Sequence, residues 1–173
     1  MKKLLVGIGI VAALGVAYWL VSPLFITERV DEKLEDIMAA TPPAGAPPAI
    51  PPASSGENTA TPSPPPAAPE VISQGMFTGL AGHSGRGTAK LLSIDGKYFI
   101  RLEDDFRVTN GPDLFVYFGK NGAYAAEARL GSLKGNEGGQ NYEVPAGIDP
   151  ESYDEVWIWC HAFSVPFARA ELR

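Results

Sequence analysis

Proline divides this chain into parts that can fold and a part that cannot. Eleven of its 16 prolines fall between residues 41 and 70, and Ala, Ser and Thr fill most of the other positions there. Proline lacks a backbone N–H and fixes φ, so such a segment neither joins a sheet nor buries a core. We therefore predict a disordered linker over residues 41–70, with a reach of up to roughly 90 Å at about 3.1 Å per residue. We expect residues 71–173 to fold, and this length is enough for one domain with a single hydrophobic core.

The N-terminal end is apolar from Leu4 to Ile26, and Lys2 and Lys3 precede this run. As a helix it spans roughly 35 Å at about 1.5 Å per residue, enough to cross a hydrocarbon core of about 30 Å. The two lysines favour an N-terminus on the inside. We predict a membrane anchor over residues 1–27, with membrane contact through residues 4–26. The rest of this single-pass protein is then extracytoplasmic, at the cell surface or in the periplasm. A cleaved signal peptide is the alternative, although Gly15–Ala17 form a poor cleavage site.

The charged juxtamembrane segment, residues 28–40, places Val30, Leu34 and Ile37 at helical spacing. A short coiled coil and a solvated helix both fit this spacing. One stripe of three apolar residues is far shorter than the heptad repeats of a coiled coil. We therefore predict a solvated helix that continues from the membrane.

Residues 71–173 show the period of two that is typical of strands. Alternating apolar residues on both sides of Asp95-Gly96 predict a hairpin with a type I′ turn, within Lys90–Leu102. The aromatic run Asp113–Gly119 suits a strand that is covered on both faces. Shorter strands are expected at residues 129–133, 140–144, 155–161 and 165–172. This spacing predicts an all-β fold, an antiparallel, jelly-roll-like β-sandwich of about seven to nine short strands.

The charge and motif content of residues 71–173 excludes several classes of function. Ten Lys and Arg oppose 13 Asp and Glu, a net charge of −3 with the signs dispersed, so we expect no nucleic-acid partner. There is no Ser-His-Asp order, no Cys-x-x-Cys pair and no zinc-type spacing. We do not expect a stand-alone enzyme, and the sequence specifies no cofactor.

Cys160 is the chain's single cysteine and lies within the segment Val156–His161. In an exported protein it has no intramolecular disulfide partner, so it is buried, pairs with another chain or does chemistry. In a strand, Val156, Ile158 and Cys160 share one face, most simply the core face, while Trp157, Trp159 and His161 share the other. Cys160 is thus either a small core residue or a redox thiol.

Two further features of the sequence are candidate sites. The glycine-rich segment Gly79–Gly87 holds His83 and Arg86 and precedes a strand, so it suits a turn or a binding loop at the rim and not a phosphate cradle. A copper site from Met76, His83, Cys160 and His161 is disfavoured, because adjacent strand residues point to opposite faces. We therefore predict no metal site.

Residues 75–172 resemble the small extracytoplasmic domain called DM-thirteen, which is often found beside DOMON domains. The motifs that carry the resemblance run in one order along the chain: Gly75-x-Phe77, His83 with Gly87-x-Ala89, Gly111-Pro112-Asp113-Leu114, Leu130 to Gly135, Gln140-x-Tyr142-x-Val144-Pro145, Val156 to Cys160, and Phe163-x-Val165-x-Phe167.

This resemblance implies a β-sandwich and an electron-transfer role centred on Cys160. Our first hypothesis is a membrane-tethered redox module that meets a redox or surface protein partner. In that hypothesis, His83, Arg86, Trp157, Trp159 and His161 are candidate rim or partner contacts. The alternative hypothesis is a non-catalytic binding module with a structural, buried cysteine.

Overall fold

The computed structural model describes residues 27–40 and 68–173, together with positions 7, 9, 11, 15 and 18. Most of the predicted anchor and the Pro-rich residues 41–67 lie outside the described residues. Within the described part of the chain, no helix is both long enough and apolar enough to cross a membrane.

Residues 27–40 and 68–173 form ten strands and one α-helix. The helix α1 spans Leu34–Ala40, and a 3-10 turn spans Pro150–Ser152. The strands are β1 (Glu70–Gly79), β2 (Gly85–Arg86), β3 (Thr88–Ile94), β4 (Lys97–Leu102), β5 (Arg107–Val108), β6 (Leu114–Lys120), β7 (Ala123–Ser132), β8 (Gln140–Glu143), β9 (Glu155–Cys160) and β10 (Val165–Glu171).

Eight of these strands make one antiparallel sheet in the order β7-β6-β9-β10-β1-β3-β4-β8, and β2 pairs with β5. The all-β antiparallel prediction is confirmed, but the expected pair of separate sheets is replaced by one nearly closed sheet. The reason lies in β1, whose first part pairs with β3 and whose last part pairs with β10. Gly75 permits this switch, because a side chain there would collide with the backbone of Glu171.

The predicted β3–β4 hairpin is confirmed. Asp95 and Gly96 have φ of 50° and 78°, the two positive values that a type I′ turn requires. The expected strands at 113–119, 140–144, 155–161 and 165–172 correspond to β6, β8, β9 and β10. The strand expected at 129–133 is only the end of β7, which begins at Ala123.

The main core lies inside the curved sheet. Its largest fully buried side chains include Phe106, Phe118, Leu91, Ile100 and Ile158. A second, smaller cluster lies on the opposite face of β3 and β4 and consists of Leu92, Ile94, Phe99 and Ile37, with Leu34 beside it. The strands β3 and β4 are therefore covered on both faces.

The second cluster corrects the prediction for residues 28–40. We call residues 27–40 the N-terminal segment. This segment packs on the domain and does not form a free, solvated helix. Ile37 of α1 is 5% exposed against β3 and β4. The buried Arg101 donates to the backbone oxygen of Glu32 at 3.1 Å. A helix whose apolar stripe finds a matching apolar sheet face is more stable docked than solvated.

Candidate redox site on strand β9

Cys160 is the last residue of β9 and belongs to the main core. Its side chain is 0% exposed, and its backbone pairs with Leu114 of β6 and Val165 of β10. It shares the inner face of β9 with Val156 and Ile158, as the alternation of the strand predicts. The thiol is free but sealed from solvent.

The outer face of the same sheet carries a continuous row of aromatic rings. We call this row the aromatic face: Trp159, Tyr124, Tyr117, Phe115 and His161. Trp159 stacks on Tyr124 with ring centroids 4.1 Å apart and planes inclined by 25°. The next steps along the row, Tyr124–Tyr117, Tyr117–Phe115 and Phe115–His161, measure 5.2, 6.4 and 6.0 Å.

Cross-strand pairing explains why these rings meet. Phe115 lies directly opposite Trp159, because β6 and β9 are antiparallel neighbours in this register. Tyr124 comes from the next strand, β7, where the turn after β6 brings it over the sheet. Directly opposite residues on one face of such a strand pair have Cβ atoms within about 5.5 Å of each other, so aromatic side chains there contact one another.

Charged groups border the aromatic face at two places. The Arg129 guanidinium lies 5.1 Å from the Phe115 ring centroid, within cation–π range. His161 Nδ1 lies 3.6 Å from Asp113 Oδ2, and the imidazole is 68% exposed. The face therefore combines apolar ring surface with opposite charges at its rim, as protein interfaces commonly do.

Trp157 differs from Trp159 although both lie on the outer face of β9. Trp157 is buried, its indole N–H donates to Glu155 Oε2 at 2.8 Å, and the Arg169 guanidinium lies 5.7 Å from its ring. Gly119 lies against the indole, and any side chain at that position would collide with it. Trp157 is thus held as a structural residue, whereas Trp159 is only partly covered.

His83 and Arg86 do not join the aromatic face. His83 lies in the turn after β1 and stacks on Phe167 of β10, with centroids 3.7 Å apart. Arg86 lies in β2, exposed, beside a cavity of about 330 Å³ that Arg107 and Glu137 also line. Of the six predicted site residues, the structure brings only Trp159 and His161 together on one exposed surface.

The contacts of Trp159 with Tyr124, Tyr117 and Phe115 were not predicted from the sequence. The aromatic run of β6 was visible, but its outward members could not be assigned to Trp159 without the β6–β9 register. Among the described residues, the structure groups no set of three or more His, Cys, Asp and Glu that could hold a metal ion.

Residues 76–172 match the family described as electron transfer DM13. The chain belongs to the DM13 family. The match covers more than half of the chain and confirms the resemblance predicted for residues 75–172. No curated protein and no solved structure matches the chain. The DM13 match begins within β1 and ends just after β10, so it includes the sheet except for the first six residues of β1, and it does not include the N-terminal segment.

Proposed function

We propose that the chain is a membrane-tethered, extracytoplasmic electron-transfer module. Two features support this proposal. The matching family is described as electron transfer DM13, and the match covers the sheet from the end of β1 through β10. The uncharged run from Leu4 to Ile26, preceded by two lysines, has the length and flanks of a membrane anchor with its N-terminus inside.

The observation that carries the redox part of the proposal is the stacked pair of Trp159 and Tyr124 on the outer face. Indole and phenol rings can each give up one electron, and a partly exposed ring lets a partner's cofactor approach closely. In the proposed step, Trp159 gives one electron to a docked carrier protein whose cofactor is a strong one-electron oxidant, such as a ferryl haem. The Nε1 proton of Trp159 passes to water, and a reduced carrier protein later returns the electron while water returns the proton.

Cys160 fits the role of an exchanging thiol poorly. Thiol–disulfide exchange requires a thiolate to reach the partner's sulfur, and a side chain with 0% exposure offers no approach. The redox role predicted for Cys160 therefore needs an opening of β9 and β10, whereas the aromatic face needs none.

The test compares two tryptophans on the same strand. The full chain is oxidised by photogenerated ruthenium(III) tris(bipyridine), and formation of the tryptophan radical is followed by transient absorption. We expect Trp159→Phe to slow radical formation about tenfold or more, and Trp157→Phe to change it less than twofold, because of these two tryptophans Trp159 is partly exposed and Trp157 is buried. Trp19 is common to both variants and contributes equally. Equal rates in the two variants would refute the aromatic face as the electron path.

The burial of Cys160 also favours a second candidate function, a binding module with a structural cysteine. In that case the aromatic face holds a surface partner without transferring electrons. Cys160→Ala would then leave partner binding intact and lower only stability. Loss of activity in a well-folded Cys160→Ala variant would exclude this second candidate.

A further inference from the structure

The N-terminal segment joins the domain almost immediately after the predicted anchor. The amide of Val30 donates to Glu137 O at 2.9 Å, and the amide of Glu32 donates to Gly139 O at 3.0 Å. The Glu32 carboxylate also accepts from Lys134 Nζ at 2.8 Å. Since contact with the domain begins at Glu28, only about 7 Å of chain separates it from Ile26, at about 3.5 Å per residue.

This attachment defines one end of the sheet. The Glu28 amide donates to Asn136 Oδ1 at 2.6 Å, and Glu28 lines a cavity of about 370 Å³ together with Asp113 and Leu114. Leu114 is the residue that pairs with Cys160. We call this end the anchor pole, and it comprises the loops at residues 109–113, 133–136 and 161–164. The β3–β4 and β6–β7 turns lie at the other end, the distal pole.

The anchor pole carries an exposed apolar side chain. Phe163 lies in the turn between β9 and β10 and is 66% exposed. The backbone of this turn is held against the loop that precedes β6, because the His161 amide donates to Asp113 O at 2.9 Å. A large aromatic side chain at the tip of a short, fixed turn suits insertion at a lipid interface.

The docking of the N-terminal segment also determines which parts of the folded chain the Pro-rich residues 41–67 connect. The helix α1 packs on Ile94 and Phe99, beside the β3–β4 turn. After the Pro-rich residues, β1 begins with Glu70 paired to Ser93, next to the same turn. The Pro-rich residues therefore connect two elements that both contact β3, and they do not lie between the predicted anchor and the domain in the chain.

We infer that the anchor pole faces the bilayer and that Phe163 meets the lipid interface. The orientation rests on the contacts of the N-terminal segment and on the anchor that forms part of the proposed function. In that function, Trp159 and His161 lie at the membrane-facing end of the aromatic face, so the carrier protein meets the domain next to the bilayer. A domain on a long spacer would have no such fixed orientation.

The test uses two exposed alanines in turns, Ala162 at the anchor pole and Ala146 in the distal loop after β8. Each is replaced by cysteine in the full chain, labelled with a fluorophore, and reconstituted into phosphatidylcholine vesicles that contain a nitroxide-labelled lipid as quencher. The unsubstituted chain, treated in parallel, gives the background from Cys160. We expect quenching at A162C to exceed that at A146C at least threefold. Equal quenching, stronger quenching at A146C, or a chain that does not float with the vesicles would overturn the inference.

A second variant tests whether the N-terminal segment sets the orientation. Ile37→Asp places a charge in the cluster with Leu92 and Phe99, and we expect it to bring the two quenching values to within twofold of each other. A threefold difference that survives Ile37→Asp would contradict the role of the segment. The quenching assay involves no electron transfer. A threefold difference in quenching between A162C and A146C, with no tryptophan radical, would therefore refute the proposed redox function alone. A tryptophan radical that depends on Trp159, with equal quenching at the two positions, would refute the orientation alone.

Discussion

Replacing Ile37 with alanine should release the N-terminal segment while the sheet stays folded. Ile37 is 5% exposed and packs against Leu92, Ile94 and Phe99. The substitution removes three buried carbons, and about 0.8 kcal/mol for each gives a loss of about 2.4 kcal/mol in docking free energy, before any cavity cost. At about 1.4 kcal/mol per tenfold, this corresponds to about 50-fold more frequent opening of the segment.

Hydrogen exchange followed by mass spectrometry measures this opening directly in the full chain in detergent micelles. The amides of Val30 and Glu32, which donate to Glu137 and Gly139, should exchange about 50-fold faster in Ile37→Ala than in the unsubstituted chain. Glu35→Ala, at an exposed position of the same helix, is the matched control and should change exchange less than threefold. Unchanged exchange at residues 28–32 in Ile37→Ala would refute the docked arrangement.

The remaining predictions concern the core. Cys160 should not react with a thiol reagent in the native state and should react fully in denaturant, as its 0% exposure requires, and native labelling within minutes would contradict its burial. Gly119→Ala should lower the free energy of unfolding by about 1–3 kcal/mol, because the new methyl group collides with Trp157, and an unchanged denaturation midpoint would contradict this contact. Burial raises the pKa of Tyr142 above its ordinary value, so its protonated form stabilises the fold below pH about 10 and this contribution is lost as the pH rises further. The stability advantage of the unsubstituted chain over Tyr142→Phe should therefore shrink between pH 8 and pH 11, and a constant or growing advantage would contradict the raised pKa.

The parts of the fold that depend on neighbouring residues could be predicted from the sequence. The alternation around Asp95-Gly96 and the position of Cys160 on the inner face of β9 both follow from the period of two, and both are confirmed. The dual pairing of β1 could not be predicted, because it depends on which distant strands reach its two halves.

The docking of the N-terminal segment had a signal in the sequence that the prediction did not use. Leu91 and Leu92 are adjacent, as are Phe99 and Ile100, and adjacent apolar residues in neighbouring strands indicate burial on both faces. Such a sheet needs a cover on its outer side, and the apolar stripe that ends at Ile37 provides one. Spacing alone could not show what the stripe would pack against.

Only part of the candidate site could be predicted, because its other residues are brought together by strand registers that the sequence does not reveal. Trp159 and His161 were expected on the outer face of β9 and lie there. The stacking partner, Tyr124, lies outside the strands predicted from the sequence, and its place over Trp159 depends on the β6–β7 and β6–β9 registers.

The identity of the oxidised side chain tests the proposed function most directly. The full chain is oxidised with photogenerated ruthenium(III) tris(bipyridine), frozen, and examined by electron paramagnetic resonance, next to Trp159→Phe and Cys160→Ala. We predict a tryptophan radical that is strongly reduced in Trp159→Phe and retained at full intensity in Cys160→Ala. A radical that persists in Trp159→Phe but disappears in Cys160→Ala would place the electron on the buried sulfur and contradict the path through the aromatic face.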